Sequence, residues 1–229
     1  MKKIVLITAN RSDYGIQRKL IKLLQKEKKL KFYLVVTGAH LEKNYGDTIS
    51  EIKKDKIRIS KKIKVKVKNY NTKNVMNIFA KSSLKFFDYY EKIKPNLIII
   101  LGDRYEMLAA AIPTVTLNVP LAHIHGGEKT QGSFDDNFRN MITSIASLHF
   151  TCHDIYKKRV CEIKGSKKNI FNYGSLSIED IHKLKFETKK FLENKFEIKF
   201  ASKNILLTFH PETKNKNFNQ KSFDQILKA

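Results

Sequence analysis

Short apolar runs alternate along most of the chain with longer segments in which apolar side chains recur every three or four positions. Such runs, bounded by polar turns, are typical of buried strands, and the longer spacing is typical of amphipathic helices. We predict strands over residues 3–9, 32–37, 58–67, 97–101, 121–124, 149–151 and 169–172. The predicted helices cover residues 16–27, 72–93, 105–112, 134–147 and 155–163, with 45–54 a short helix or loop.

The alternation of strands and helices predicts an α/β domain with one parallel sheet that is covered by helices on both faces. We assign residues 1–183 to this domain. The sequence from 181 to 202 is charged and helical, and an apolar run at 205–209 predicts a further strand, followed by a helix. Because an α/β domain of this type needs roughly 100–150 residues, we interpret 184–229 as the beginning of a second, incomplete domain.

Polar residues that could carry chemistry follow the ends of successive predicted strands. They are Arg11 after the first strand, Asp103 and Arg104 after the fourth, His123, His125 and Glu128 around the end of the fifth, and Asp135, Asp136 and Arg139 at the next helix start. In an open parallel sheet, ligands bind outside the carboxyl ends of the strands, where these side chains would meet. His210 follows the run at 205–209, so we expect it to face the first domain across a cleft.

Several of these residues also have a purely structural explanation. Arg11, beside a helix start, could bind a phosphate or could pair with Asp13. Asp103 could serve as a base or orient one, or it could cap the following helix. The helix dipole favours an acid at a helix start, which explains one of Asp135 and Asp136 but not both together with Arg139 on the next turn.

The loop after the fifth strand contains two histidines and two glycines. His123 and His125 are one residue apart and would face opposite sides of the strand end, which without a third ligand is a poor zinc signature. One of them could be a structural histidine. Gly126 and Gly127 allow a ligand to approach the backbone closely, and Glu128 would project into the crevice. We predict neither a metal nor a cofactor.

Charge is distributed unevenly along the chain. The formal charge is +23, but the segment from residue 101 to 156 contains six acidic and only three basic residues. Lysines alternate along 61–68, which indicates the exposed face of an edge strand. Because no helix-turn-helix, zinc finger or RNP-like motif accompanies them, we favour a solvated surface that steers anionic substrates over a nucleic-acid platform.

Cysteine usage and hydropathy indicate the compartment. Cys152 and Cys161 form no CxxC pair and are too few to frame a fold, which is typical of a reduced, cytoplasmic protein. The first apolar run breaks at Thr8 and is a strand rather than a signal peptide. No run reaches the ~20 apolar residues of a membrane helix, so we predict a cytoplasmic protein without membrane association.

Several short motifs stand in a fixed order along the chain. They are Arg11-Ser12-Asp13-Tyr14-Gly15, Thr37-Gly38-Ala39-His40-Leu41, Gly102-Asp103-Arg104, the loop from His123 to Glu128, the helix start from Asp135 to Arg139, and His210-Pro211. In this order the chain resembles the hydrolysing UDP-N-acetylglucosamine 2-epimerases of the bacterial sialic-acid and legionaminic-acid branch. The Arg-x-Asp-Tyr start distinguishes that branch from the non-hydrolysing epimerases, which carry Gly-Thr-Arg-Pro-Glu instead.

The resemblance implies two Rossmann-like domains that face each other across a cleft, as in the glycosyltransferase-B-like fold, with the UDP contacts largely in the second. It implies that a base removes the C2 proton of a UDP-2-acetamido sugar as UDP leaves, and that water then adds to release the manno-configured sugar. It also implies no metal. By matching positions, the catalytic candidates are Asp103, Glu128, Asp135, Asp136 and His210, and the substrate-binding candidates are Arg11, Arg104, His123, His125 and Arg139. His125 stands where many relatives carry Glu.

These expectations extend to activity and assembly. Because the second domain is largely missing, we expect the 229 residues alone to bind UDP weakly and to turn over slowly or not at all. The alternative is a non-catalytic remnant that binds nucleotide sugars or acts as an assembly module. A glycosyltransferase of the same shape is a third hypothesis, against which the 123–128 loop and the 135–139 helix start argue. An exposed half-cleft and an unpaired domain start favour self-association, so we expect a dimer or an unstable chain.

Overall fold

The computed structural model describes residues 1–42, 46–65, 72–130, 133–178, 181, 184–210 and 216–228. The chain divides into two compact units. The first comprises Met1–Gln131 and Asp135–Ser177, and the second comprises Gly132–Phe134 and Ile178–Ala229. None of the described helices combines the length and apolar character that crossing a membrane requires.

The first unit is built on a seven-stranded parallel sheet with the order β3-β2-β1-β4-β5-β6-β7. The strands are β1 (Lys2–Thr8), β2 (Leu30–Val36), β3 (Ile59–Lys62), β4 (Leu97–Leu101), β5 (Leu121–Ile124), β6 (Leu148–Thr151) and β7 (Ile170–Asn172). The chain order reverses between β1 and β4, which creates the switch point where open α/β sheets bind ligands. The predicted Rossmann-like α/β sheet is thus confirmed.

Helices cover both faces of this sheet. They are α1 (Arg11–Lys26), α2 (Ile49–Lys54), α3 (Thr72–Ile93), α4 (Tyr105–Thr116), α5 (Asp135–Ile145) and α6 (Asp154–Lys164), with α7 (Lys189–Phe196) and α8 (Lys216–Lys228) in the second unit. Side chains alternate along β1, so Val5 packs with Phe86 of α3 on one face and Leu6 packs with Ile21 of α1 on the other. The two cores hold the strand ends in fixed positions.

The first helix begins five residues earlier than predicted. Its N-cap is Asn10, whose side-chain oxygen accepts a hydrogen bond from the backbone N–H of Asp13 at 2.9 Å. A capped helix tolerates a glycine in its second turn, and so Gly15 lies inside α1 although its presence suggested a loop. Arg11 therefore stands in the first turn of a helix, next to the carboxyl end of β1.

The edge position predicted for the lysine-rich third strand is confirmed, because β3 lies at the end of the sheet order. The strand is shorter than predicted, and both Lys61 and Lys62 are exposed. Residues 66 and 67 of the predicted strand lie outside the described residues.

The predicted strand at 205–209 is wrong, since these residues adopt no regular secondary structure. Ile205 and Leu206 are 95% and 96% exposed. A strand needs a hydrogen-bonded neighbour to be stable, and the described part of the second unit contains no strand to supply one. An apolar run with β-branched residues is therefore not sufficient to form a strand here.

One buried histidine makes the fold sensitive to acid. His149 on β6 is 1% exposed, and neither of its ring nitrogens has a hydrogen-bond partner among the described residues. Burial, aided by the charge of Lys164, lowers the pKa of His149 to about 4. The protonated ring is thus much less favourable in the folded protein than in the unfolded chain.

We expect the free energy of unfolding to fall less in acid for His149→Leu than for the unmodified chain. Unfolded His149 gains a proton below about pH 6.5, whereas the folded side chain does so only near pH 4. The unfolded state therefore binds more protons in this window, and stability falls as the pH drops. In urea unfolding between pH 7.5 and 4.5, the decline should be smaller in the variant by roughly 1–3 kcal/mol.

His153→Asn is the matched control for this experiment. His153 is exposed and accepts a hydrogen bond from the backbone of Ile155 at the start of α6, a role that Asn fulfils well. This variant should keep the pH dependence of the unmodified chain. Identical declines for His149→Leu and the unmodified chain would contradict the assignment.

Candidate functional site

Two neighbouring groups of polar side chains lie at the carboxyl ends of the central strands. We call the first the Arg139 cluster; it contains Asp103, His125, Glu128, Thr130, Asp136, Arg139 and Cys152. We call the second the Arg104 cavity; it is lined by Asn10, Arg11, Ser12, Ala39, Thr48, Arg104, Tyr105 and Glu106 and has a volume of about 490 Å³. Asp103 and Arg104 are consecutive residues, so the end of β4 joins the two groups.

Arg139 on α5 organises the first group. Its Nη1 donates to Glu128 Oε2 at 2.9 Å and to the backbone carbonyl of His125 at 3.0 Å. Its Nη2 donates to the carboxylate of Asp103 and to Thr130 Oγ1, the latter at 3.1 Å. The Arg139 side chain is only 6% exposed, so the fold buries a guanidinium between two carboxylates that come from different strand ends.

The remaining acidic candidates lie at the start of α5. Asp136 Oδ1 accepts a hydrogen bond from the backbone N–H of Thr130 at 3.2 Å, and the hydroxyl of Thr130 is 3.3 Å from Asp103 Oδ2. Asp103 and Asp136 are therefore joined through one threonine. Asp135 is the first residue of α5 and is half-buried. The structure thus brings Asp103, Glu128 and Asp136 into one region.

Glu128 is held as a carboxylate. Burial raises its pKa, but hydrogen bonds from His125 Nδ1 and Cys152 Sγ, both 3.0 Å from Oε1, outweigh that effect and lower the pKa to about 2. Burial and the same carboxylate raise the pKa of Cys152 to about 12, so it remains a thiol. With Nδ1 bonded to Glu128, His125 has its Nε2 without a partner among the described residues.

The same three residues offer donor atoms that suit a metal ion. One atom each of His125, Glu128 and Cys152 lie within 4.8 Å of one another, and nitrogen, oxygen and sulfur donors are typical of zinc. Metal binding would need the thiolate, and the guanidinium of Arg139 opposes a cation next to Glu128. The contacts favour a hydrogen-bonded group, and the absence of a metal stays a prediction.

His123 lies beneath the site rather than in it. The ring is fully buried, with Nε2 2.7 Å from the carbonyl oxygen of Gly102 and Nδ1 3.1 Å from Thr143 Oγ1. Burial lowers its pKa to about 3, so the neutral ring donates from Nε2 and accepts at Nδ1. This corrects the expectation that His123 contacts substrate, because both ring nitrogens are bonded within the fold, Nε2 to the carbonyl of Gly102 and Nδ1 to Thr143.

The Arg104 cavity contains two of the predicted cations. Arg104 donates to both carboxylate oxygens of buried Glu106, at 3.1 and 2.9 Å, which fixes the guanidinium at the cavity wall. Arg11 is exposed and lines the same cavity. Arg104 is itself the N-cap of α4, so the capping explanation for Asp103 is wrong.

Asp13 does not pair with Arg11 among the described residues. Its carboxylate is buried and is 3.3 Å from the backbone N–H of Ala9. Burial raises its pKa to about 7, against the opposing charge of Arg104. Sequence reasoning did not select Asp13, Glu106 or Cys152 as site residues. The need of Arg104 for a counter-ion could have indicated Glu106, whereas nothing in the local sequence indicates Cys152.

His210 belongs to the second unit and is exposed. Pro211 and Glu212 lie outside the described residues. The expectation that His210 faces the first unit across a cleft therefore stays a prediction.

The chain matches a known family over most of its length. A family model described as UDP-N-acetylglucosamine 2-epimerase matches residues 22–229. The chain is 37% identical over 227 residues to a Campylobacter jejuni protein named GDP/UDP-N,N'-diacetylbacillosamine 2-epimerase (hydrolyzing). It is 34% identical over 229 residues to an Escherichia coli protein named polysialic acid biosynthesis protein P7. These matches cover 99% and 100% of the chain but only 59% and 58% of the two relatives.

Solved structures of similar proteins share the fold. One is the UDP-GlcNAc 2-epimerase from Neisseria meningitidis bound to UDP-GlcNAc, with a TM-score of 0.74 and 19% identity; the match covers 85% of this chain and 53% of that one. Another is the S. aureus MnaA-UDP co-structure, with a TM-score of 0.71 and 20% identity, over 86% of this chain and 52% of that one. The chain thus spans between half and three fifths of the length of these four proteins.

Proposed function

Because the chain belongs to the UDP-N-acetylglucosamine 2-epimerase family, we propose that it carries the acid–base half of a hydrolysing UDP-sugar 2-epimerase. The family expected from the motif order is thereby confirmed. The observation that carries the proposal is the meeting of Asp103 and Glu128 on one buried guanidinium, Arg139, beside a cavity lined by Arg11 and Arg104. Asp103 and the carboxylates at the start of α5 serve proton transfer, and the two cations that line the cavity serve a departing diphosphate.

The proposed reaction has two steps. A base takes the proton from C2 while the bond between C1 and the UDP oxygen breaks, which gives an unsaturated sugar and UDP. Water then adds across the double bond, its oxygen to C1 and a proton to the opposite face of C2, and the free manno-configured sugar results. Each step needs a group that accepts or delivers a proton at C2, and water must be excluded until UDP has left.

We assign a role in this reaction to each residue from its surroundings in the structure. A carboxylate with a pKa of about 2 is a weak base at neutral pH, so we assign Glu128 to holding His125 and Arg139. Proton transfer then falls to Asp103, Asp135 and Asp136, with His125 as the neighbouring nitrogen. Arg11 and Arg104 bind the diphosphate. We propose that the second unit, which contains His210, is the start of the UDP-binding domain.

The finer assignments follow the named relatives. We propose a UDP-2-acetamido sugar as substrate, either UDP-N-acetylglucosamine or UDP-N,N'-diacetylbacillosamine, in the supply of sialic or legionaminic acid for surface polysaccharides. We also propose a cytoplasmic homodimer without nucleic-acid or membrane partners, which light scattering and salt-dependent binding assays with DNA and RNA would test. The competing hypothesis is an inactive module that only binds nucleotide sugars.

Turnover in D₂O separates these hypotheses. The chain should be incubated with each UDP-sugar, alone and together with a polypeptide that supplies the part of the C. jejuni relative beyond the match. We expect slow or no turnover by the chain alone, and release of UDP and a free sugar by the pair. The free sugar should carry deuterium at C2, because the proton there is exchanged.

Two other results would contradict the proposal. UDP release without deuterium at C2 would indicate simple hydrolysis of the glycosidic bond. No release by the pair, despite binding of UDP, would favour the inactive module. Asp103→Asn in the pair should lower turnover at least about 100-fold, the usual scale for removing a general acid or base.

A further inference from the structure

A second cavity lies at the opposite end of the sheet from the Arg139 cluster. We call it the β2 notch; its walls include Lys31, Phe32 and Tyr33 of β2, Arg58 and Ser60 at the start of β3, and Tyr89 of α3. Its volume is about 430 Å³. Because all strands are parallel, the starts of β2 and β3 lie at the amino edge, away from the proposed catalytic edge.

The notch exists because β3 begins late. Pairing between β2 and β3 starts only at Leu34 and Ile59, with an irregular register directly afterwards, and the backbone N–H of Leu34 donates to Ser60 Oγ at 3.2 Å. In the described part of the chain, no strand lies beside the earlier residues of β2 on this side. Backbone groups alternate in direction along a strand, so the peptide of Phe32, like that of Leu34, is directed to the side of β2 on which β3 lies.

The charged and aromatic side chains of its walls indicate which kind of ligand the β2 notch would bind. Lys31 and Arg58 are the cations of the walls, and no acidic residue is among the described lining residues. The backbone N–H of Arg58 donates to Gln25 Oε1 at 3.2 Å, which fixes the start of β3. Tyr33 and Tyr89 are half-buried and offer ring surface, and Lys31 Nζ lies 5.8 Å from the centre of the Tyr33 ring.

We propose that the β2 notch binds a small aromatic anion of the nucleoside monophosphate class. Aromatic walls stack with a base regardless of its identity, and a guanidinium and an ammonium on the walls of one cavity suit a phosphate. The volume lies within the range of roughly 300–1,000 Å³ that small-molecule sites occupy. The site is separate from the proposed UDP-sugar site, so each can fail without the other.

Calorimetric titration of the 229-residue chain with UMP and AMP tests the proposal. We expect saturable binding with a Kd on the order of 0.1–1 mM, the range in which a few polar contacts and a stacked ring place a small ligand. The double variant Lys31→Gln with Arg58→Gln should weaken binding at least about tenfold. Inorganic phosphate should bind at least about tenfold more weakly than UMP, because it lacks the ring.

Two matched variants locate the binding. Lys29→Gln removes an exposed charge directly before β2 that does not line the notch. This variant should leave the Kd for UMP unchanged. Arg104→Gln alters the proposed UDP-sugar site at the other edge of the sheet, so an unchanged Kd for UMP in this variant would place the measured binding outside that site. Unaltered thermal midpoints would show that each variant folds.

Three results would overturn the proposal. The first is no saturable binding of UMP or AMP up to about 10 mM, well above the expected Kd. The second is equal weakening by Lys29→Gln and by the double variant, which would indicate attraction to the basic surface in general. The third is weakening by Arg104→Gln alone, which would place the nucleotide at the catalytic edge.

Discussion

Arg139→Met should abolish turnover by the chain paired with the C. jejuni-derived polypeptide and lower the free energy of unfolding by roughly 3–5 kcal/mol. The guanidinium is buried and contacts both Asp103 and Glu128. Without it, two carboxylates remain partly buried, close together and without a counter-ion, and removing one member of such a group carries a large cost. Urea unfolding and UDP release measure the two effects.

Arg18→Met is the control for this variant. Arg18 also contacts a carboxylate, that of Asp55, but its own side chain is 55% exposed. Although Asp55 is nearly buried, it keeps Lys22 and Tyr14 as partners when Arg18 is replaced, so we expect a loss of only about 1 kcal/mol. Equal losses of stability for the two variants would contradict a special role of the buried cluster.

A double variant separates charge from packing. Arg139→Met combined with Asp103→Asn should be more stable than Arg139→Met alone, because one unpaired charge has been removed. Turnover should not return, since the proposed chemistry needs both groups. If Asp103→Asn lowers the free energy of unfolding of the Arg139→Met variant by as much as it lowers that of the unmodified chain, the two residues are not coupled.

Gly127→Ala should lower the free energy of unfolding by more than about 4 kcal/mol or prevent folding, because it combines backbone strain with a collision. Gly127 has φ of +80°, and a Cβ there would lie 2.5 Å from the carbonyl oxygen of Tyr156 and 2.9 Å from Val160 Cγ2. Both contacts are with α6, which cannot move without disturbing the sheet. The substitution would also displace the neighbouring Glu128 from Arg139.

Gly174→Ala is the matched control, because it has the same φ of +80° but nothing within 4 Å of the added Cβ. It should cost only the left-handed backbone penalty of roughly 1–2 kcal/mol. Urea unfolding of the two variants measures the difference, which is the cost of close packing at the loop. Similar losses would mean that α6 accommodates the methyl group.

Local pattern was sufficient where an element is defined by its own residues. The bounds of α3, β4 and β5 agree with the prediction, because their apolar spacing is regular and Pro95 and Gly102 mark the breaks. The start of α1 was missed because it depends on the Asn10 cap, a side-chain contact that no periodicity reveals. The run at 205–209 has the composition of a strand but lacks a neighbour.

The sequence by itself determined the α/β sheet, the family and the set of polar residues at the strand ends. Only the tertiary structure decided that one guanidinium from α5 joins Asp103 and Glu128, that Cys152 completes the group, and that His123 is buried while its near neighbour His125 reaches the site. The physical reason is that burial and counter-charge depend on residues far apart in the chain, which meet only when parallel strands align their carboxyl ends.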